Sequence, residues 1–398
     1  MPARIHFITN GVFSTGIAGG DIHFLKLAAG AAAAGYHLNF FGGHALKEVI
    51  EKHHLPGTVT LTDAGKMGKV DGGALPGQLA MFRDFFARYR STIGQLNRIG
   101  PDDFVYAVSD YWFDVLPAAR SAARRKLMVL HMEAPLFGQI VRRSRPDVDP
   151  LRLASLHYWA SQERSLQAFA RCPQKHLLYL HPAMQPRLEC LEIRPQEMTL
   201  VSYGLETEAT RAVPKQERIY DVVWIGRVHR QKGVDDLLAT LKWLSGRVAN
   251  FRAMFIGNVR ETLAPRIAAL GLERQVEFSG FVTEEEKIRL FKASRLFLMP
   301  SKHEGSPRVI GEAIICGTPV VAYDIPNYRP LFGDFCRYVP PFALEGLQTS
   351  AEKEILLMRS GVNYLDRLDL QRFEKENSWE TTQGRFLAAL DQLSGGRK

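Results

Sequence analysis

Glu304 and Glu312 stand eight positions apart, and the residues around them give that spacing a chemical meaning. The segment MPSKHEGSPRVIGEAIICGTPVVAYD (299–324) reads as a buried strand ending at Pro300, then a short loop carrying Glu304. A helix follows with Glu312 on its second turn. Ser306 is the expected N-cap, Pro307 the first helical residue, and Gly317 lies just past the end. Free amides at a helix start carry positive partial charge and bind phosphate. Here the helix start lies around Ser306, Pro307, Arg308 and Val309, next to Gly305. One carboxylate before the helix and another inside it can accept hydrogen bonds from hydroxyls on either side of that phosphate. A ligand with hydroxyls, phosphate and hydroxyls in that order is a sugar nucleotide.

A second constellation lies in VVWIGRVHRQKGVDDLL (222–238). An apolar strand ends at Gly226, and Arg227 and Lys232 follow in the loop before the next helix. Two cations at a strand's carboxyl end suit a diphosphate, whose charge must be met as it departs. In the first half, His131 closes the strand-like KLMVLHM, and Gly19 and Gly20 sit between the first strand and first helix, where the backbone can approach a ligand closely. Asp147-Val148-Asp149 has the metal-binding D-x-D form. It lies in a proline-flanked polar loop with no buried strand before it and reads as solvated acids, so no metal is expected.

The elements that position these residues alternate between strand-like and helix-like throughout, which argues for α/β layers with parallel sheets. Strands are expected at 4–9, 37–41, 104–108, 127–131, 177–180 and 199–202. After a polar stretch at 204–219 that reads as a linker, more follow at 221–225, 252–256, 276–278, 296–299 and 320–323. The reading is two doubly wound units: 1–205, which would bind the acceptor, and 206–378, which would bind the nucleotide sugar. A closing helix at 379–398 follows. Ligands of such sheets bind beyond the carboxyl ends of the strands.

Composition narrows the field. The chain has 398 residues, 46% of them apolar and 23% charged, which excludes disordered and collagenous classes. No apolar run reaches the length of a bilayer span. The net charge of +9 fits anionic ligands, and no nucleic-acid recognition motif accompanies it. The four cysteines form no C-x-x-C pair and suit a reducing cytoplasm. Basic clusters at Arg120, Arg124, Arg125 and Lys126 and at Arg142, Arg143 and Arg145 raise the prospect of an anionic membrane contact. So does the aromatic and basic LAMFRDFFARYR (79–90), which also reads as a helix with its aromatic face on the core and its arginines in solvent.

GRVHRQKG (226–233), PSKHEG (300–305) and EAIICGTPVV (312–321) follow one another in an order and spacing that resemble the family-four retaining glycosyltransferases, which have the GT-B fold. The resemblance is clear in the second half and looser in the first. It implies two Rossmann-like domains facing across a cleft, and a donor diphosphate held by Arg227 and Lys232. Glu304 would touch the donor sugar, Glu312 the ribose, and His131 the transferred sugar. NSWETTQGRFLAAL (377–390) resembles the family's closing helix, which crosses back to the first domain. The implied donor is a UDP-, GDP- or ADP-sugar, used without metal or cofactor. The implied acceptor is a carbohydrate or glycolipid, in polysaccharide or glycolipid assembly. FSGFVT (278–283) is the place expected to meet the base. Two departures stand out: DIPNYRP (324–330) lacks the acid often found there, and AVSDYW (107–112) replaces an H-x-H, leaving Asp110 as the acceptor contact. An epimerase or phosphorylase of the same fold, or a non-catalytic sugar-nucleotide sensor, is the alternative. Turnover without an acceptor, a pyridoxal absorbance or binding without transfer would mark these out.

Overall fold

The computed structural model describes residues 3–12, 19–63, 75–149 and 151–395. The chain forms two units. The first comprises Met1–Tyr203 and Trp379–Lys398, and the second Gly204–Ser378.

In the first unit, seven strands form one sheet: β1 (Arg4–Ile8), β2 (His37–Gly42), β3 (Thr58–Leu61), β4 (Phe104–Ala107), β5 (Arg125–Leu130), β6 (Gln174–Tyr179) and β7 (Met198–Leu200). Their order is β3-β2-β1-β4-β5-β6-β7 and every pairing is parallel. Central strands covered on both faces must be apolar on both, and Phe7, Phe40, Tyr106, Val129 and Leu178 are all fully buried or nearly so. The helix Trp379–Leu393 packs on Gly19–Ala33 at such close range that a Cβ on Gly30 would lie 2.8 Å from Gln383 Cγ. It sends Phe386, Ala389 and Leu390 into the same core as Phe7 and Tyr106. Burial of each such large side chain stabilises the fold by about 1.5–3 kcal/mol.

The second unit has six parallel strands: β8 (Tyr220–Ile225), β9 (Ala253–Ile256), β10 (Val276–Gly280), β11 (Ser294–Met299), β12 (Val320–Tyr323) and β13 (Arg337–Val339), in the order β10-β9-β8-β11-β12-β13. The order reverses beside β8 and β11, the two strands that carry the sequence motifs. The α/β expectation is met, and the strand expectations hold to within a few residues; β3 and β13, short strands at the sheet edges, were not anticipated.

Three local expectations need correction. The stretch 204–219 is not a plain linker: it contains the helix Thr207–Ala212. That helix has no apolar period to betray it. Lys292 Nζ donates to the carbonyls of Thr210 and Val213 near its end, and Arg211 pairs with Glu374. Pro307 is the N-cap rather than the first helical residue, and the helix runs Arg308–Ile315 with no side-chain cap. Arg88, in the 79–90 segment, is not in solvent. It is 1% exposed, ion-paired to Asp84 and Asp63, and donates to the carbonyls of Asn10 and Val12. Phe85 of that segment does pack inward, stacked on Phe113 with centroids 4.4 Å apart. No described helix is long and apolar enough to cross a membrane.

Candidate functional site

In the second unit, the two motif loops leave the carboxyl ends of adjacent strands β8 and β11 and are stitched together. Gln231 Nε2 donates to His303 O at 2.7 Å, and Lys302 N donates to Gln231 O at 2.8 Å. Gly233 has φ +64°, and a Cβ there would lie 2.0 Å from Pro300 O, so only glycine permits this approach. The result is an ion pair between the loops, Lys232 Nζ to Glu304 Oε1 at 2.5 Å, with side chains 17% and 9% exposed. Asn327 clasps the same loop from below, its amide donating to the carbonyls of Glu304 and Gly305. Asn327 lies in the segment that departs from the family pattern; its spacing gave no hint of this role. Arg227 is exposed, on the loop just past Gly226.

Glu312 sits one turn into the helix Arg308–Ile315 and is 5% exposed. Its Oε1 accepts from Lys287 Nζ at 2.9 Å and pairs with Arg308 Nε at 2.7 Å. Its Oε2 is buried and has no hydrogen-bond partner among the described residues. Burying a carboxylate oxygen without a partner is costly, so this atom is an acceptor poised for a donor. The i,i+4 spacing of Arg308 and Glu312 could have been read from the sequence. Lys287 could not, because it comes from the helix Glu284–Lys292. That helix opens with the expected capping box of Thr283 and Glu286.

In the first unit, the chosen residues also gather at the carboxyl edge. His131 directly follows β5. Gly19 and Gly20 are the first two residues of the helix Gly19–Ala33 rather than part of a turn before it; a Cβ on Gly20 would lie 3.5 Å from the His131 ring, and one on Gly19 would lie 3.8 Å from the Tyr203 ring. His131 Nε2 lies 3.1 Å from Val108 O. A carbonyl only accepts, so Nε2 carries the proton, and Nδ1 accepts from the Tyr203 hydroxyl at 3.2 Å. Burial holds His131 below its ordinary pKa, opposed by Asp110, the Val108 carbonyl and Asp21. His23 packs edge-on at 5.9 Å and is fully buried, with burial depressing it well below the usual range. Asp110 is 2% exposed and pushed up by burial, while Gln162 donates to its Oδ2.

The D-x-D acids are engaged rather than solvated. Asp147 pairs with Arg145 at 2.7 Å, and Asp149 Oδ2 accepts from Ser155 N at 2.8 Å. Among the described residues, no group of three or more His, Cys, Asp or Glu is arranged to hold a metal. In the first basic cluster, Lys126 is buried and caps a helix end by donating to the carbonyls of Ala118, Ala119 and Ser121.

Comparison with known proteins places these features. Residues 206–339 match the family model described as glycosyl transferases group 1. That segment is similar to a group 1 glycosyl transferase domain. It contains both motif loops and both acids. A 2-deoxystreptamine N-acetyl-D-glucosaminyltransferase from Streptomyces fradiae is 33% identical over 116 residues, covering 28% of this chain and 28% of the relative. A D-inositol 3-phosphate glycosyltransferase from Salinispora tropica is 26% identical over 393 residues, covering 92% of this chain and 80% of the relative. The chain spans less than half the length of the first curated relatives it matches. Among solved structures, Anabaena Alr3699/HepE in complex with UDP and glucose aligns with a TM-score of 0.68 at 17% identity, covering 98% of this chain and 100% of that one. The fold is GT-B.

Proposed function

We propose that the protein is a retaining glycosyltransferase that moves a sugar from a nucleoside-diphosphate sugar to a hydroxyl of a carbohydrate or glycolipid acceptor. The observation that carries this is Glu312: one oxygen clamped by two cations, the other buried and without a hydrogen-bond partner among the described residues. A ribose hydroxyl is the donor such an atom calls for. The glycosyl-transfer activities in the relatives' names and the UDP and glucose bound by the structural neighbour support the same reading.

In this reading Lys232 exchanges Glu304 for the donor diphosphate, joined by Arg227 and the amides from Ser306 to Val309. The exchange frees the Glu304 carboxylate to accept from the donor sugar's hydroxyls. The bond from the anomeric carbon to the diphosphate oxygen breaks, and the acceptor oxygen bonds to that carbon on the same face. The acceptor's proton passes to the departing phosphate. Side chains and amides meet the growing negative charge, and no metal is required. Both His131 nitrogens are held within the first unit, so the part assigned to His131 is that of a fixed ring rather than a proton carrier. The setting is cytoplasmic polysaccharide or glycolipid assembly. Exposed Leu136, Phe137 and Val141 beside Arg142 and Arg143 would rest on an anionic membrane.

A thermal-shift screen with UDP, GDP, ADP and their sugars tests the reading, since a ligand that binds only the folded state raises its melting point. One nucleotide series should stabilise the fold, and Glu312→Gln should weaken its binding by about tenfold. If no nucleotide stabilises the protein, or Glu312→Gln binds as tightly, the assignment fails. Turnover unchanged by EDTA is the expected result for the metal.

A further inference from the structure

The opposite edge of the first sheet, where its strands begin, holds a cavity that the transfer reaction does not use. β1, β2 and β3 start at Arg4, His37 and Thr58, and a cavity of about 610 Å³ lies between these starts and Arg98. Its floor is polar where buried parallel strands are ordinarily apolar. His6 on β1 and Asn39 on β2 are register partners, 1% and 7% exposed. Asn39 Nδ2 donates to His6 Nδ1 at 3.0 Å, so His6 Nε2 carries the proton and donates to Asp103 Oδ2 at 3.0 Å. The Thr58 and Thr60 hydroxyls both donate to Asn39 Oδ1, at 2.8 and 3.2 Å.

This ladder fixes the direction of its hydrogen bonds. It leaves the two threonine oxygens as acceptors on the cavity wall. The rim holds two guanidinium cations and an imidazole: Arg4, Arg98 and His37 are exposed there, and no carboxylate lines the cavity among the described residues. Asp103, the acid behind the floor, is engaged by His6 and by Gly100 N at 2.7 Å. A wall of cations and fixed acceptors, free of acids, suits a ligand that is both anionic and hydroxylated.

We propose that this cavity binds a phosphorylated sugar, its phosphate held by Arg4, Arg98 and His37 and its hydroxyls donating to Thr58 and Thr60. Guanidinium–phosphate bonds supply the affinity, and the threonine oxygens distinguish a sugar phosphate from free phosphate.

The test is calorimetric titration of the full chain at low salt with glucose 6-phosphate, inorganic phosphate and glucose, alongside NMR of the His37 ring. Glucose 6-phosphate should bind more tightly than phosphate and shift the His37 signals, while glucose should not bind. The double variant Arg4→Ser/Arg98→Ser should weaken binding by about tenfold or more. Thr58→Asp, an exposed change that keeps both arginines, should weaken it as well by repelling the phosphate. Lys232→Ala, which removes a cation of the second unit, should leave it intact. Saturable binding that survives the double variant, or disappears in Lys232→Ala, overturns the site, as does the absence of saturable binding. Equal affinity for phosphate and glucose 6-phosphate overturns the sugar portion.

Discussion

The carboxyl edges of the two sheets are built from opposite chemistries. In the second unit the edge is ionic: Lys232 faces Glu304, and Lys287 and Arg308 face Glu312. In the first it is a net of buried hydrogen bonds: His131 sits between a carbonyl and a tyrosine hydroxyl, Gln162 donates to Asp110, and the ring nitrogens of buried His23 have no hydrogen-bond partner among the described residues. A buried cation must stay paired, so these ion pairs can open only by trading one counter-ion for another, as a charged ligand would supply. Hydrogen bonds among buried neutral groups cannot be traded so readily. The ionic edge is suited to gripping a charged ligand and releasing it, and the hydrogen-bonded edge to keeping a fixed shape.

The experiment that would most sharply break this contrast is Lys232→Ala. Turnover should fall on the order of a hundredfold, about 3 kcal/mol of transition-state stabilisation. Unchanged turnover would mean that the ion pair is structural and the ionic edge has no catalytic part. Gly233→Ala tests whether the loops must approach as closely as they do. A side chain at φ +64° and against Pro300 O should cost about 2–3 kcal/mol in urea unfolding.

Asp114 probes the hydrogen-bonded side. It is fully buried, and burial raises its pKa from 3.8 to about 7, against the hydrogen bonds from Ser109 and Asn10. The folded chain therefore keeps a proton that the unfolded chain has already lost. Stability should fall as pH rises from about 4 to about 7 and level off above that, by up to a few kcal/mol. Asp114→Asn should flatten this slope in urea titrations; a flat profile in the parent protein would show a charged group where a neutral one is expected. The smallest effect belongs to Tyr203→Phe. Loss of one hydrogen bond to His131 Nδ1 should cost about 1 kcal/mol and shift that nitrogen's NMR signal, with little change in nucleotide binding.

Much of this was legible in the sequence because it is local. Apolar runs such as DVVWI and VVAY are strands covered on both faces, and Thr283 with Glu286 announces a helix start within four residues. Glu304, Glu312 and Lys232 were legible through their loop context, and the structure does bring Lys232 and Glu304 together. What escaped was pairing over distance. Lys287, Asn327 and Tyr203 acquire their roles only when remote segments meet, and no spacing encodes that. Arg88 misled for a related reason: an arginine on an aromatic helix belongs in solvent unless carboxylates and carbonyls are waiting for it inside, and here they are.

The helix Trp379–Leu393 gives the two units unequal fates under genetic dissection. The second unit is one uninterrupted stretch, bounded where Leu205 N meets Asn377 O at 2.8 Å, so a single excised coding segment would contain all of its strands. The first cannot be cut out in that way. A product stopping at Tyr203 would lack Phe386, Ala389 and Leu390 and would leave bare the apolar surface they cover. Recovering it would take a permuted gene or a separately supplied peptide, and a protease nick just ahead of Trp379 would leave the closing segment held by packing and by hydrogen bonds such as Gln383 Nε2 to Lys26 O and Thr382 Oγ1 to Ser202 O.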